Sequence, residues 1–191
     1  MIRGFATNRL LYAIDGVRMN TAIFRSGNIQ NVISLDAFAT ESAEILFGPG
    51  SVIYGSDAIG GVMSFQTLAP KFASDDKRLF SGGSTARYSS ANQEKTAHLH
   101  FLLGGKKWAS VTSVSYNDFG DLRMGSDGPD EYLKKLDVVR QDDKDVVVVN
   151  KDSLVQSPSA YNQLNLMQKI SFKATEKTEI QYAFHYSATS E

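Results

Sequence analysis

The 191-residue sequence contains no cysteine, which excludes disulfides and thiolate metal sites. The lack of thiols suits an oxidising compartment such as the periplasm, as it does many cytosolic proteins. Neither charge is in excess. The formal net charge is −1, so the strongly basic character of a nucleic-acid binder is missing. No stretch of about 18 apolar residues occurs, so no transmembrane helix is available and any membrane role must be carried by strands. The sequence also lacks a charged, then apolar, then small-residue leader, and Met1 to Phe5 runs directly into structured-looking sequence. No nucleophile–base–orienter set and no glycine-rich phosphate loop is present, which leaves no basis for an enzyme.

What is there divides near Pro70. Up to that point short apolar runs alternate with glycine-rich turns. Leu10–Ile14 stops at Asp15-Gly16, a strong turn signal, and Glu44–Phe47 stops at Gly48-Pro49-Gly50. Gly60-Gly61 opens a further strand-like run, Val62–Thr67. The spacing of Ile29, Val32, Ile33 and Leu35 predicts a helical turn or two, and Ser51–Gly55 another after the proline. The pattern predicts a small α+β unit over residues 1–70, with a core too small to be comfortable alone.

From Leu79 onward the period becomes two. Ala97, Leu99, Phe101 and Leu103 oppose Thr96, His98 and His100. Leu164, Leu166, Ile170 and Phe172 oppose Gln163, Asn165, Lys169 and Lys173, with Gln168 interrupting the apolar row. Ile180, Tyr182, Phe184 and Tyr186 oppose Glu179, Gln181 and His185. Trp108–Phe119 alternates less cleanly, and Leu79–Tyr88 least of all. Strands of about 9–11 residues with one apolar, aromatic face fit a membrane barrel. A soluble antiparallel sheet lying on a core alternates in the same way.

The connections favour the barrel. Gly104–Lys107 and Ala174–Lys177 are tight turns at one end, while the long charged stretch 117–160 lies at the other. Short periplasmic turns and long external loops are the habit of outer-membrane barrels. Five strands cannot close, since the smallest such barrels need about eight. The expectation is therefore a mainly β protein, a small α+β domain followed by about five antiparallel strands over residues 71–191, which is either a soluble protein or incomplete, the strands in the second case being the start of an incomplete transmembrane β-barrel.

Three segments carry a family resemblance. They are IRGF at residues 2–5, IDGVRMN at 14–20 and EILFGPGSVIYGSDAIGGVMSFQT at 44–67. In this order they resemble the plug of TonB-dependent outer-membrane receptors, covering about the first third of the chain. The glycines and proline permit the tight turns that let a globular plug sit inside a barrel, and Tyr54 and Ile59 are expected to pack on its sheet. The resemblance implies a barrel of about 22 strands in the outer membrane of a Gram-negative bacterium. It also implies energised uptake of a scarce, bulky nutrient such as haem, a ferric siderophore or cobalamin, driven by the TonB–ExbB–ExbD complex. Against the family pattern, the TonB-contacting box, the first plug strands and most of the barrel are missing, so a fragment is expected. Residues 117–125 and 149–163 resemble barrel sequences of Bacteroidetes receptors. The alternative function is a soluble, plug-like binding module without transport activity.

Within that resemblance, the plug loop after Asp15-Gly16 helps floor the ligand site. Arg18, Asn20, Phe24, Arg25 and Asn28 supply charge, amides and a ring there, suiting a bulky iron- or cobalt-containing ligand with carboxylates. Arg18 or Arg25 equally suits a salt bridge to the barrel wall. His98 and His100 face the lumen together and offer imidazoles to a metal or haem iron, or serve as ordinary polar lumen residues. Asp118, Asp121, Arg123, Asp127, Asp130 and Glu131 read as solvated surface, because their spacing matches no calcium loop. No resident cofactor or metal is expected.

Overall fold

The computed structural model describes residues 10–19, 34–47, 54, 58, 60–74 and 77–190, and they form two main sheets. The first has four strands in the order β2-β1-β4-β3. They are β1 (Leu10–Ile14), β2 (Val17–Arg18), β3 (Thr40–Phe47) and β4 (Gly61–Thr67). β1 and β4 are parallel, and β3 closes antiparallel on β4. A parallel pair needs a long crossover, and here the segment between β1 and β4 includes β3. Leu11, Tyr12 and Ala13 are all buried, because β1 is covered on both faces. That explains its unbroken apolar run where a half-exposed strand would alternate. Leu11, Ala58 and Val62 pack with Tyr54 in one cluster, while Tyr12 and Phe65 pack with Ile14, Met19, Leu35 and Met63 in another. Tyr54 thus sits as expected; Ile59 lies outside the described residues.

The hairpin between β1 and β2 turns on Asp15 (φ 50°) and Gly16 (φ 79°). Two consecutive left-handed residues give the primed turn whose twist matches the strands. A Cβ placed on Gly16 would meet nothing within 4 Å, so its cost is purely conformational. Gly16→Ala is expected to destabilise the chain by about 1–2 kcal/mol, read as a lowered urea midpoint with an unchanged m-value.

The second sheet is wholly antiparallel, in the order β11-β10-β7-β6-β5. Its strands are β5 (Leu79–Ser89), β6 (Glu94–Gly104), β7 (Trp108–Phe119), β10 (Tyr161–Thr175) and β11 (Thr178–Ser190). Among the described residues β5 and β11 each pair on one side only. All five strands fall where the alternation places them, including β5, whose pattern is weak because Gly82 and Gly83 stand in mid-strand. Its polarity is inverted relative to a soluble domain. Thr96, His98, Ser113, Ser115, Asn117, Asn165, Lys169 and Ser171 are buried, whereas Leu99, Leu103, Trp108, Val114, Tyr116, Ile180, Tyr182 and Phe184 are exposed. Polar residues inside and apolar residues outside are the signature of a wall facing lipid. From Trp108 to Asp118, at about 3.3 Å per residue and a tilt of about 40°, the wall stands about 25 Å high, the height of an apolar membrane band. Gln168 breaks the outer row without being unsatisfied: its Oε1 accepts from the Thr112 hydroxyl (2.6 Å) and its Nε2 donates to the Lys169 carbonyl (3.3 Å).

The stretch 117–160, read from sequence as a charged loop, is folded. It contains a hairpin of β8 (Leu136–Gln141) and β9 (Lys144–Val149) and a 3-10 turn at Asp130–Tyr132. Among its acidic residues, Asp121 and Asp152 are engaged internally. Asp121 accepts from the backbone N–H of Ser159 (2.7 Å) and Ala160 (3.0 Å), and Arg123 pairs with Asp152. The Ser159 and Ala160 amides hold the Asp121 carboxyl below its ordinary range, outweighing its partial desolvation. Asp121→Ala is expected to speed hydrogen exchange at the Ser159 and Ala160 amides about tenfold, the effect of losing charge-assisted bonds.

Candidate functional site

The lumen face of the wall is organised in cross-strand rows. His98, Ser115, Asn165 and Ser187 form one row, His100, Ser113, Met167 and His185 the next, and Leu102, Val111, Lys169 and Ala183 a third. The four-stranded domain docks on these rows at two polar points.

The first is Asp15. Its Oδ1 accepts from the Thr67 N–H (2.9 Å), and its Oδ2 from the Thr67 hydroxyl (2.8 Å) and the Lys169 ammonium (2.9 Å). Lys169 reaches across from β10, with its side chain only 4% exposed. It also donates to the Thr67 carbonyl at 3.3 Å. His185 Nε2 lies 3.6 Å from the same carboxylate. Burial pushes the Asp15 carboxyl up, but Lys169 and the two Thr67 donors outweigh it and leave it below its ordinary range. The left-handed turn that reverses the chain thus also presents the carboxylate to the wall.

The second is Asp36, at the head of a 3-10 turn, Ala37–Ala39. Oδ1 caps that turn by accepting from the Phe38 N–H (2.9 Å), while Oδ2 accepts from the Ser115 hydroxyl (2.7 Å). With the Ser115 proton so engaged, His98 Nδ1, 2.7 Å away, must be the donor to Ser115 Oγ. In a neutral ring His98 Nε2 then accepts from His100 Nδ1 at 3.0 Å. Phe38 stacks on His98 with centroids 5.2 Å apart, and the Arg87 guanidinium lies 5.2 Å from the Phe38 ring centroid. Arg87 is itself held by Glu94. Behind this knuckle Ala39 packs with Leu102, Val111, Met167 and Leu68.

Between the two points lies a cavity of about 290 Å³ bordered by Met19, Asp36, Thr67, Asn165, His185 and Ser187. Among the described residues the buried Asn165 Oδ1 has no hydrogen-bond partner. At about 30 Å³ per water the space has room for about ten waters.

Of the residues singled out from sequence, Arg18 is exposed at the end of β2, opposite Ala13. Asn20, Phe24, Arg25 and Asn28 lie outside the described residues. His98 and His100 do come together on the lumen face, but His98 engages both ring nitrogens within the protein. Among the described residues no three His, Asp or Glu side chains gather as a metal site. Asp15, Asp36, Ser115 and Lys169 were not singled out. Lys169 left a signal: a lysine at mid-strand on a face to be covered requires an acidic partner.

A small globular domain keyed to the polar inner face of a sheet whose outer face is apolar is the architecture of part of a plugged β-barrel. Residues 1–62 match the family model described as the TonB-dependent Receptor Plug Domain. The chain is 38% identical over 87 residues, 45% of its length, to the vitamin B12 transporter BtuB of Vibrio vulnificus, of which it spans 14%. It is 29% identical over 133 residues, 66% of its length, to the hemin receptor of Yersinia enterocolitica, of which it spans 18%. The structure of the siderophore receptor PirA from Acinetobacter baumannii shares the fold, with a TM-score of 0.59 and 16% identity over 97% of this chain and 24% of that one. These relatives are named as transporters and receptors, not as enzymes. Over residues 1–62 the chain is similar to the plug of TonB-dependent receptors, and its fold is that of part of such a plug with strands of the barrel wall. It spans less than a fifth of the length of those curated relatives.

Proposed function

We propose that the receptor to which this chain corresponds takes up a bulky nutrient (haem, a ferric siderophore or cobalamin) across the outer membrane, energised by TonB–ExbB–ExbD. The observation that carries this reading is the keyed plug, with Asp15 and Asp36 engaged on the lumen rows of a lipid-facing wall. The names of the relatives above support the nutrient classes. Residues 1–70 are assigned to the plug and 71–191 to the barrel. Arg18, Asn20, Phe24, Arg25 and Asn28 are assigned to the ligand-facing loop, where cations and amides suit an iron- or cobalt-containing ligand with acceptor groups. His98 is assigned to the plug seat in preference to ligand binding, because both its ring nitrogens are engaged there, with Ser115 and with His100 Nδ1. The relatives come from Vibrio, Yersinia and Acinetobacter, so the Bacteroidetes resemblance gains no support from them.

The test is equilibrium dialysis of haemin, cyanocobalamin and a ferric siderophore against the chain in detergent micelles. One of the three is expected to bind, and Arg18→Ala with Arg25→Ala to weaken it about tenfold or more, as loss of two charge-assisted contacts requires. Binding no stronger than to an unrelated barrel sinks the ligand assignment. A monodisperse, detergent-free chain favours the soluble module instead, since the exposed apolar face otherwise drives association.

A further inference from the structure

The outer face of the wall carries a furrow of about 430 Å³ bordered by Arg78, Leu103, Trp108, Ser110, Gln168 and Ile170. Its origin is readable in the register. Leu103, Ser110 and Ile170 form one outward row, so a two-atom side chain stands between two large aliphatic ones. Trp108 and Phe172, stacked with centroids 4.3 Å apart, close one end of the row beside it. Arg78 is exposed at the mouth and makes no ion pair among the described residues.

The two ends of the wall differ in charge. The described residues of the turn end, 71–74, 77–78, 104–107 and 173–179, include seven basic and two acidic ones. The opposite end, 117–160, has six basic and ten acidic residues. Trp108 stands at the basic end, at the level where barrel aromatics meet lipid headgroups.

We infer that this furrow is a binding site for an anionic phospholipid, with an acyl chain along Leu103, Ser110 and Ile170 and the phosphate at Arg78. A guanidinium pairs two phosphate oxygens in a fork, and an apolar furrow in a lipid-facing wall suits a hydrocarbon chain. Net positive charge around the mouth selects an anionic headgroup over a zwitterionic one. The inference rests on the membrane-spanning reading of the wall.

Trp108 is the sole tryptophan of the chain, so its fluorescence reports this site alone. The experiment reconstitutes the chain in phosphatidylcholine vesicles containing a minor fraction of acyl-brominated phosphatidylglycerol or acyl-brominated phosphatidylcholine. Brominated phosphatidylglycerol is expected to quench Trp108 about fivefold more strongly than brominated phosphatidylcholine at equal fraction. Arg78→Gln is expected to abolish the difference while quenching by phosphatidylcholine persists. Ser110→Phe, which fills the furrow, is expected to reduce quenching by both. Equal quenching by the two lipids in the unsubstituted chain means that Trp108 meets bulk lipid only, and overturns the site. A preference that survives Arg78→Gln overturns it as well. No quenching by either lipid removes the membrane-spanning reading itself.

Discussion

Asp15→Asn destabilises the docked plug by about 3 kcal/mol, the low end of the range for breaking a buried ion pair, because Asp15 keeps partial contact with solvent. The damage lies on the other partner. Without the carboxylate, Lys169 retains a buried ammonium with the Thr67 carbonyl as its remaining contact. Lys169→Met alone is milder, since Asp15 keeps both Thr67 donors and borders solvent. The double variant Asp15→Asn/Lys169→Met recovers most of the loss, as paired removal of buried charges does. The measurement is urea unfolding of the chain in detergent micelles, followed by protease resistance of residues 10–67. A double variant no more stable than Asp15→Asn alone shows that the pair is not the anchor.

The pH dependence follows from the same contact. The folded Asp15 carboxyl lies below its ordinary value, so between the two values the unfolded chain binds more protons. Its stabilisation is therefore complete above the ordinary carboxylate range and is lost as pH falls through the depressed folded value. Lys169→Met removes one cause of the depression and flattens this acid limb, which titration of stability against pH reads directly.

Val114→Arg destabilises the inserted wall by about 2–4 kcal/mol, the cost of an arginine near the mid-plane of a barrel's lipid face. Val114 points outward in the row with Leu99 and Leu166, halfway between Trp108 and the Asp118 end of β7. Tyr88→Arg, at the rim on β5, costs about 0–1 kcal/mol by the same depth rule. Unfolding of vesicle-inserted chain in guanidinium distinguishes the two. Equal costs at Val114 and Tyr88 exclude a lipid band on this face.

Much of this architecture was legible in sequence, and the reasons are specific. In β6, β10 and β11 one face sees lipid and the other a polar plug, so the chemical contrast between odd and even positions is nearly complete. The hairpin β8–β9 was not legible. Val138-Val139 and Val146–Val149 carry no alternation, and the turn between them uses Asp142 (φ 46°) and Asp143 (φ 63°) where glycine or asparagine is the usual signal. The docking contacts were hidden for another reason. Asp36 and Ser115 stand 79 positions apart in the chain, and each taken singly is an ordinary capping or lumen residue. Asp15 announced only its turn, because one residue serves two purposes there.

The plug is held at two separated catches, with a cavity of about 290 Å³ between them. A load applied to such a joint is not shared evenly along the seam. It concentrates at whichever catch lies nearer the pull, and the second takes strain only after the first has parted. The joint therefore peels instead of shearing, and the work of opening it comes in two small steps. Only the Asp15 catch is purely polar; behind Asp36 the contact of Ala39 and Leu68 with Leu102, Val111 and Met167 must also part, so that step includes pulling oil from oil.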